Sequence, residues 1–361
     1  MRRMMVAFSL VALANCAAAS QQSSQEDRID ALFASHGGAN SPGYAIAVVR
    51  DGEVLLAKGY GSADIDAGRP ITPDTSFNIA SLSKQFTAAA VAMEIERGRV
   101  ALEDRATDYL PDAPAFMSEI TIAHLVYMTS GLPEYYTLRS PRGGWSSEDE
   151  FTVQDAISAV YASGALDYEP GARWTYSNIN YQLLAEIVGR TSGLSFPDYL
   201  DQNIFGPLGM ESSWVDAPID STRNTRAVSY VRSEDDQHWR EAPRRSPHYG
   251  GSGVFASLND LARWDRALYT DLAFGPTFTE RMLSTRRFAH DKDNDAFGLV
   301  HGEFRGLRTI WYEGGDYGVS AYMVRLPERD ETVICLANFA DAGCASKAQS
   351  IIEILAFSEP E

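Results

Sequence analysis

The stretch Phe77-Asn-Ile-Ala-Ser81-Leu-Ser83-Lys84 opens a helical pattern that continues to about Arg97. Residues three apart on a helix share one face, so Ser81 and Lys84 are expected to lie side by side. A buried lysine can lose its proton and act as a base, or it can hold a neighbouring base ionised. The pair therefore predicts a nucleophilic serine with a lysine beside it.

The composition of the chain strengthens this prediction. In 361 residues, about one such serine–lysine spacing is expected by chance. Of the 31 basic residues, however, only four are lysines (Lys58, Lys84, Lys292 and Lys347), which leaves 27 arginines. An arginine at position 84 would supply charge but could not give up its proton. The structural alternative is an N-cap serine with an exposed lysine, and the helix dipole disfavours a lysine in the first turn.

Both ends of the chain predict β-strands. The runs Gly43-Tyr-Ala-Ile-Ala-Val-Val-Arg50 and Glu53-Val-Leu-Leu-Ala-Lys-Gly-Tyr60 flank an Asp51-Gly52 turn, which is typical of a hairpin. The tail has strand patterns and a closing helix. The strands are predicted at 297–301, 308–312, 320–326 and 332–336, and the helix near 345–356.

The middle of the chain is dominated by helical patterns. The clearest lie at 120–128, 153–161, 179–190 and 196–204. The order of these elements predicts an α/β (α+β) fold in which an antiparallel sheet of about five strands, formed by both chain ends, is flanked by helices. A mostly helical lobe, at about residues 105–245, is inserted between the halves of the sheet. A crevice between two such lobes is a usual place for a small-molecule site.

The N-terminus reads as an export signal. Two arginines, an apolar run and Ala17-Ala18-Ala19 have the order of a signal peptide over residues 1–19. A Gln/Ser-rich tether at 20–27 and one domain at 28–361 are expected to follow. This predicts a periplasmic or secreted bacterial protein. Cys16 lies in an imperfect lipoprotein box, so a lipid anchor is the alternative to simple export.

Charge and residue usage exclude several classes. A net charge of −18 argues against nucleic-acid and anionic-membrane partners, and no stretch after the leader is long and apolar enough to span a membrane. The six histidines show no metal-ligand spacing, and no dinucleotide or Walker motif is present, so neither a metal nor a cofactor is expected. Cys335 and Cys344 are compatible with a disulfide or with two buried thiols.

The motifs together resemble the β-lactamase and penicillin-binding-protein superfamily of serine hydrolases. The Ser81 stretch is similar to the Phe-x-x-x-Ser-x-Ser/Thr-Lys signature of class C β-lactamases, related carboxylesterases and D-amino-acid-specific peptidases. Tyr176-Ser177-Asn178 matches the family's Tyr-x-Asn motif. Further similar stretches, namely Met128–Leu132, Phe205–Met210 and Gly250–Phe255, extend the resemblance over about residues 28–356. A β-lactamase/transpeptidase-like fold is implied.

The resemblance implies a role for each matching residue. Ser81 would carry the acyl group, and Lys84 would keep Tyr176 partly ionised, so that the phenolate or the amine takes the Ser81 proton. An isolated tyrosine titrates near pH ~10, so this needs a close cation. Asn178 would bind Lys84 and the acyl side of the substrate. The Ser81 N–H and one from the third-motif strand would form the oxyanion hole.

The third motif departs from the family pattern. The family has Lys or His, any residue and Gly, whereas this chain has Tyr312-Glu313-Gly314-Gly315, with a further glycine at Gly318. Gly314 and Gly318 keep the backbone pattern, so the Gly315 N–H is expected to serve the oxyanion hole. The cation that would meet a substrate carboxylate is missing, and Glu313 adds a negative charge.

Three functions remain open on the sequence. The departure favours an exported serine hydrolase that acts through an acyl-Ser81 intermediate on small esters or amides. A β-lactamase, or a D-Ala-D-Ala carboxypeptidase or D-aminopeptidase of penicillin-binding-protein type, is the alternative, and a nearby arginine could then replace the missing cation. A binding or sensor domain without turnover is the non-enzymatic alternative. The expected partner in each case is a small ester, amide or β-lactam-like molecule.

Overall fold

The computed structural model describes residues 25–357, except for 139–149, 234, 236–237, 272, 285–293 and 296. The expected signal peptide and Cys16 lie outside this range. The first described residues, 25–33, form helix α1, and this helix includes residues 25–27, where the sequence predicts the end of a tether. Among the described residues, no helix is long and apolar enough to cross a membrane.

Fourteen strands are present in the described part of the chain. They are β1 Tyr44–Arg50, β2 Glu53–Tyr60, β3 Ser62–Asp64, β4 Arg69–Pro70, β5 Phe77–Asn78, β6 Trp214–Val215, β7 Tyr230–Arg232, β8 Trp239–Glu241, β9 Val254–Ala256, β10 Asn294–Asp295, β11 Val300–Phe304, β12 Leu307–Asp316, β13 Val319–Leu326 and β14 Glu331–Ala337.

The helices after α1 surround and interrupt these strands. They are α2 Lys84–Glu96, α3 Ile122–Val126, α4 Tyr135–Leu138, α5 Val153–Ser163, α6 Asn178–Ser192, α7 Phe196–Leu200, α8 Gly206–Leu208, α9 Leu258–Tyr269, α10 Pro276–Leu283 and α11 Cys344–Ala356. A π-helical segment, Asp201–Phe205, joins α7 to α8.

The main sheet is antiparallel and is formed by both chain ends, as the sequence predicts. Its strand order is β10-β11-β12-β13-β14-β1-β2, which makes seven strands where about five were expected. The register of β1 against β14 pairs Tyr44 with Ala337 and Arg50 with Glu331. The hairpin turn is at Asp51-Gly52, where both residues have positive φ, 53° and 74°, as a tight two-residue turn requires.

The segment between the two halves of the sheet contains α3 to α8 and also small β-elements. β7 pairs with β8, and β6 joins β5 and β9 in a three-stranded sheet. In the core, α2 is buried on nearly all sides from Lys84 to Glu94 and packs against α6. The chain therefore places the starts of these two helices side by side, next to β12.

One detail of the prediction changes, and one alternative that the sequence left open is decided. Ser81 lies in a 3-10 turn, Ala80–Ser83, and the α-helix begins only at Lys84. In a 3-10 turn, residues three apart eclipse one another, so the predicted proximity of Ser81 and Lys84 is retained. Cys335 and Cys344 are both buried free thiols, and burial raises the pKa of Cys335 well above its ordinary value.

Candidate active site

Ser81 follows a strained backbone position. Ala80 has a φ of +46°, which is uncommon for a residue other than glycine and is found where the surrounding structure enforces it. The side chain of Asn78 contributes to this, because its Oδ1 accepts the Ala80 N–H at 2.9 Å. The turn thus fixes the direction in which Ser81 projects from the end of β5.

Lys84 is fully buried and surrounded by oxygen atoms. Its Nζ lies 2.6 Å from the carbonyl oxygen of Gly251, 2.7 Å from Tyr176 Oη, 2.8 Å from Asn178 Oδ1 and 3.2 Å from Ser81 Oγ. An ammonium group has three protons to donate, so four acceptors compete for them, and Ser81 is the most distant.

Tyr176 is the nearest partner of the Ser81 hydroxyl. The two oxygens lie 2.6 Å apart, and Lys84 Nζ lies 4.8 Å from the centre of the Tyr176 ring. Because the protons of Lys84 are directed mainly to its three closer acceptors, the Ser81 proton can be donated to Tyr176 Oη. The four predicted residues Ser81, Lys84, Tyr176 and Asn178 therefore form one hydrogen-bonded cluster.

Two parts of this cluster were not identified from the sequence. The first is the carbonyl oxygen of Gly251, which accepts a hydrogen bond from Lys84. A side chain at Gly251 would place its Cβ only 3.2 Å from the Asn178 carbonyl oxygen. The second is Glu134, whose Oε2 accepts the Asn178 backbone N–H at 2.6 Å. Both residues lie within or beside stretches that resemble the family. A main-chain carbonyl can belong to any residue type, and Glu134 is 44 residues from Asn178, so no motif in the sequence indicates either contact.

The third motif lies on β12, directly against the Ser81 turn. A Cβ on Gly314 would lie 2.3 Å from the Ile79 carbonyl oxygen and 3.1 Å from the Ser81 nitrogen, whereas one on Gly315 would meet no atom within 4 Å. Glycine at position 314 therefore permits the close approach of the two segments. Tyr312 is buried and Glu313 is exposed.

A cavity of about 500 Å³ opens on Ser81. We call its two sides the helical wall, formed by Ser81 and Tyr176 with Lys84 and the start of α6 behind them, and the strand wall, formed by Tyr312–Gly315. Apolar residues including Trp174, Trp311 and Val300 line the cavity. Among the described residues that line it, Glu313 is the only one with a charged side chain, so none supplies a cation.

A second cavity, of about 370 Å³, lies at the far end of the strand wall and contains Arg244, Arg245 and Asp316. Arg244 is held by Asp216, since its Nη1 donates to the Asp216 carbonyl oxygen at 2.6 Å and to the carboxylate at 3.1 Å. His248 also lines this cavity. Burial, with the charges of Arg244 and Lys84, lowers the pKa of His248 to about 3, so this histidine is neutral at pH 7.

The described residues contain no group of three or more His, Cys, Asp or Glu side chains that could hold a metal ion. What the site offers chemically is a serine hydroxyl hydrogen-bonded to a tyrosine, with a buried lysine amine beside both. These groups suit acyl transfer to a serine.

Solved structures show which class of fold this is. A penicillin-binding-protein homologue from Pyrococcus abyssi superposes with a TM-score of 0.80 at 24% identity, over 94% of this chain and 78% of that one. The D-amino acid amidase of Ochrobactrum anthropi SV3 superposes with a TM-score of 0.77 at 21% identity, over 91% and 98%. The fold is therefore that of the penicillin-binding proteins and serine β-lactamases.

Sequence comparison gives the family. The family model described as Beta-lactamase matches residues 29–354, and the chain belongs to this family of serine hydrolases. Penicillin-binding protein 4* of Bacillus subtilis (strain 168) is 29% identical over 86% of this chain and 71% of its own length. A D-aminopeptidase of Gluconobacter oxydans (strain 621H) is 27% identical over 89% of this chain, which spans 60% of that enzyme.

Proposed function

We propose that the protein is an exported serine hydrolase that forms an acyl-Ser81 intermediate with small esters or amides lacking an anionic group. The observation that carries this proposal is the cluster at Ser81, where Oγ lies 2.6 Å from Tyr176 Oη. The cavity beside Ser81 supports the preference for substrates without an anionic group, because the described residues that line it are largely apolar and include no basic side chain.

The reaction that we infer uses each group of the site. The phenolate form of Tyr176, held beside the Lys84 ammonium, accepts the Ser81 proton while Oγ forms a bond to the substrate carbonyl carbon and the carbonyl π electrons move to its oxygen. The N–H groups of Ser81 and Gly315 stabilise the negative charge that develops on the carbonyl oxygen. The proton then passes from Tyr176 to the leaving alcohol or amine as its bond to carbon breaks. A water molecule, deprotonated in the same way, releases the acid and restores Ser81.

The presence of Glu313 and Asp316 favours a second candidate substrate. Both carboxylates are exposed on either side of the Gly314–Gly315 backbone. A substrate with a free ammonium group would be attracted there, whereas a carboxylate would be repelled. Two relatives are named for D-aminopeptidase and D-amino acid amidase activity. Amides of D-amino acids are therefore the second class to test.

Labelling and mass spectrometry test the nucleophile. The intact protein is incubated briefly with a fluorophosphonate, and the adduct is located by peptide mapping. We expect one adduct, on the peptide that contains Ser81. An adduct on another serine would contradict the proposal. A stable acyl adduct without turnover of any ester would instead support a binding or sensor domain.

Substrate choice is tested by kcat/KM for short-chain p-nitrophenyl esters, D- and L-amino acid p-nitroanilides and a chromogenic cephalosporin in one buffer. A missing charge-assisted hydrogen bond to the cephalosporin carboxylate corresponds to roughly 10- to 150-fold, so esters are expected to react much faster. Tyr312→Lys should raise the cephalosporin value relative to the ester value. Efficient cephalosporin hydrolysis by the unaltered protein would favour a β-lactamase, with Arg245 as the first cation to replace.

Export rests on the leader at residues 1–19. The mature protein in a periplasmic or culture fraction should begin near residue 20, as measured by N-terminal mass. Retention in the membrane fraction with a lipid mass on Cys16 would replace simple export with lipid anchoring.

A further inference from the structure

The carboxylate of Glu134, two residues after Leu132, lies against the start of α6, behind the helical wall. Glu134 lies immediately before α4, and its Oε2 accepts the backbone N–H of Asn178, the first residue of α6, at 2.6 Å. The first N–H groups of a helix have no partner within the helix, and an anion is favoured at that end by the helix dipole. Glu134 therefore serves as an external cap for α6, supplied from 44 residues away.

This contact bears directly on the reacting groups. Asn178 also binds Lys84 through its side chain at 2.8 Å, and Tyr176 lies two residues before it. Since Tyr176 Oη must stay within 2.6 Å of Ser81 Oγ, the position of the start of α6 controls the alignment of the nucleophile and its base. The N-cap residue of α6, Ser177, makes no capping hydrogen bond with its side chain.

Glu134 also affects the charge of the site. Lys84 is fully buried, yet none of its four bonded partners is a carboxylate. A buried ammonium group is costly without a nearby negative charge. Burial is the largest effect on Glu134 and raises the pKa of its carboxyl, and the bond from the Asn178 N–H and the charge of Lys84 oppose this rise. The titratable groups facing it are Lys84 and the adjacent Tyr135 and Tyr136.

We propose that Glu134 is a positioning residue of the Ser81 site: its carboxylate holds the start of α6 so that Tyr176 and Asn178 meet Lys84, and it supplies the negative charge that balances Lys84. This inference rests on the proposed role of Ser81 as nucleophile. Glu134 has no contact with the substrate in this scheme and acts through the residues it holds.

Two substitutions separate the two effects. Glu134→Gln keeps an oxygen that can accept the Asn178 N–H but removes the charge, so we expect a loss in kcat of roughly tenfold or less. Glu134→Ala removes both, and displacement of the Tyr176–Ser81 pair is expected to lower the rate of Ser81 labelling on the order of 100-fold. In both variants KM for a small ester should change less than kcat.

The pH dependence of kcat tests whether Glu134 also balances the charge of Lys84 or only supports the local structure. Removing a negative charge disfavours the protonated Lys84 and favours the phenolate of Tyr176. The acidic limb of kcat in Glu134→Gln should therefore move to lower pH. Asp155→Asn is the matched control, because Asp155 is also a carboxylate at a helix start, accepting the Thr152 N–H at 2.9 Å beside α5. It should leave labelling and the profile unchanged.

The outcomes are distinguishable. If the unaltered protein is not labelled on Ser81, the proposed function is wrong. If it is labelled and Glu134→Ala is labelled at the same rate, the function stands and this inference is wrong. Should Glu134→Ala fail to fold, as judged by circular dichroism, Glu134→Gln decides: an unmoved acidic limb would overturn the inference, and a shift to lower pH would support it.

Discussion

On the helical wall of the cleft, Lys84 is fully buried and lies within 3.2 Å of four oxygen atoms. On the strand wall, Glu313 and Gly315 are exposed to solvent, and a Cβ at Gly315 would touch nothing. A buried group that loses its partner bears the full cost of desolvation, about 1–3 kcal/mol, whereas water replaces a lost partner at an exposed group. The comparison teaches that proton transfer depends on the side chains of the helical wall, whereas the side chains of the strand wall affect selectivity.

The largest effect is expected at the nucleophile. Ser81→Ala should lower ester turnover on the order of 1,000-fold or more and abolish covalent labelling, because it removes the oxygen that bonds to the substrate carbonyl carbon. Ser83→Ala is the matched control. Ser83 Oγ accepts the Val254 N–H at 3.1 Å, so its loss should cost about 1 kcal/mol of unfolding free energy and leave turnover within roughly tenfold. Full activity in Ser81→Ala would show that the chemistry does not depend on this residue of the helical wall.

The second effect concerns the buried ammonium. Lys84→Arg retains the charge but cannot place one nitrogen among the same oxygens or give up a proton, so we expect a loss of about 100-fold or more in kcat. Single-turnover acylation and thermal unfolding, measured together, separate chemistry from folding. A variant that acylates normally would reduce Lys84 to an interchangeable positive charge.

The third test lies where the two walls meet. Gly314→Ala would place a Cβ 2.3 Å from the Ile79 carbonyl oxygen, so we expect overpacking to cost about 1–3 kcal/mol of stability and to slow Ser81 labelling by roughly tenfold or more. Gly315→Ala keeps its N–H and has open space, and its labelling rate should stay within about threefold. Equal effects at the two glycines would contradict the contact between β12 and the Ser81 turn.

The smallest effect is expected on the strand wall. Glu313→Gln removes an exposed charge, and exposed charges contribute about 0.2–1 kcal/mol, so cephalosporin kcat/KM should rise only about two- to fivefold. The p-nitrophenyl ester value should not change, which provides an internal control. A larger rise would show that Glu313 lies closer to the bound substrate than its exposure indicates.

Much of the fold could be predicted from the sequence because the signals are local. The Asp51-Gly52 hairpin and the last three strands follow from alternation and turn chemistry. Short elements were predicted less well. Helix α3 covers only Ile122–Val126 of the predicted 120–128, and β6 to β9 were not predicted. Strands of two or three residues carry too few positions for a period to be recognised.

By itself, the sequence determined that Ser81 and Lys84 share one face of a turn, that both chain ends build one sheet, and that Tyr312 stands where the family places a cation. Only the tertiary structure decided that Tyr176 Oη meets Ser81 Oγ, that the Gly251 carbonyl is the nearest acceptor of Lys84, and that Glu134 holds the start of α6. The physical reason is separation along the chain. Local spacing fixes neighbours within a turn, whereas contacts over 44 to 167 residues depend on how the helices and β12 pack.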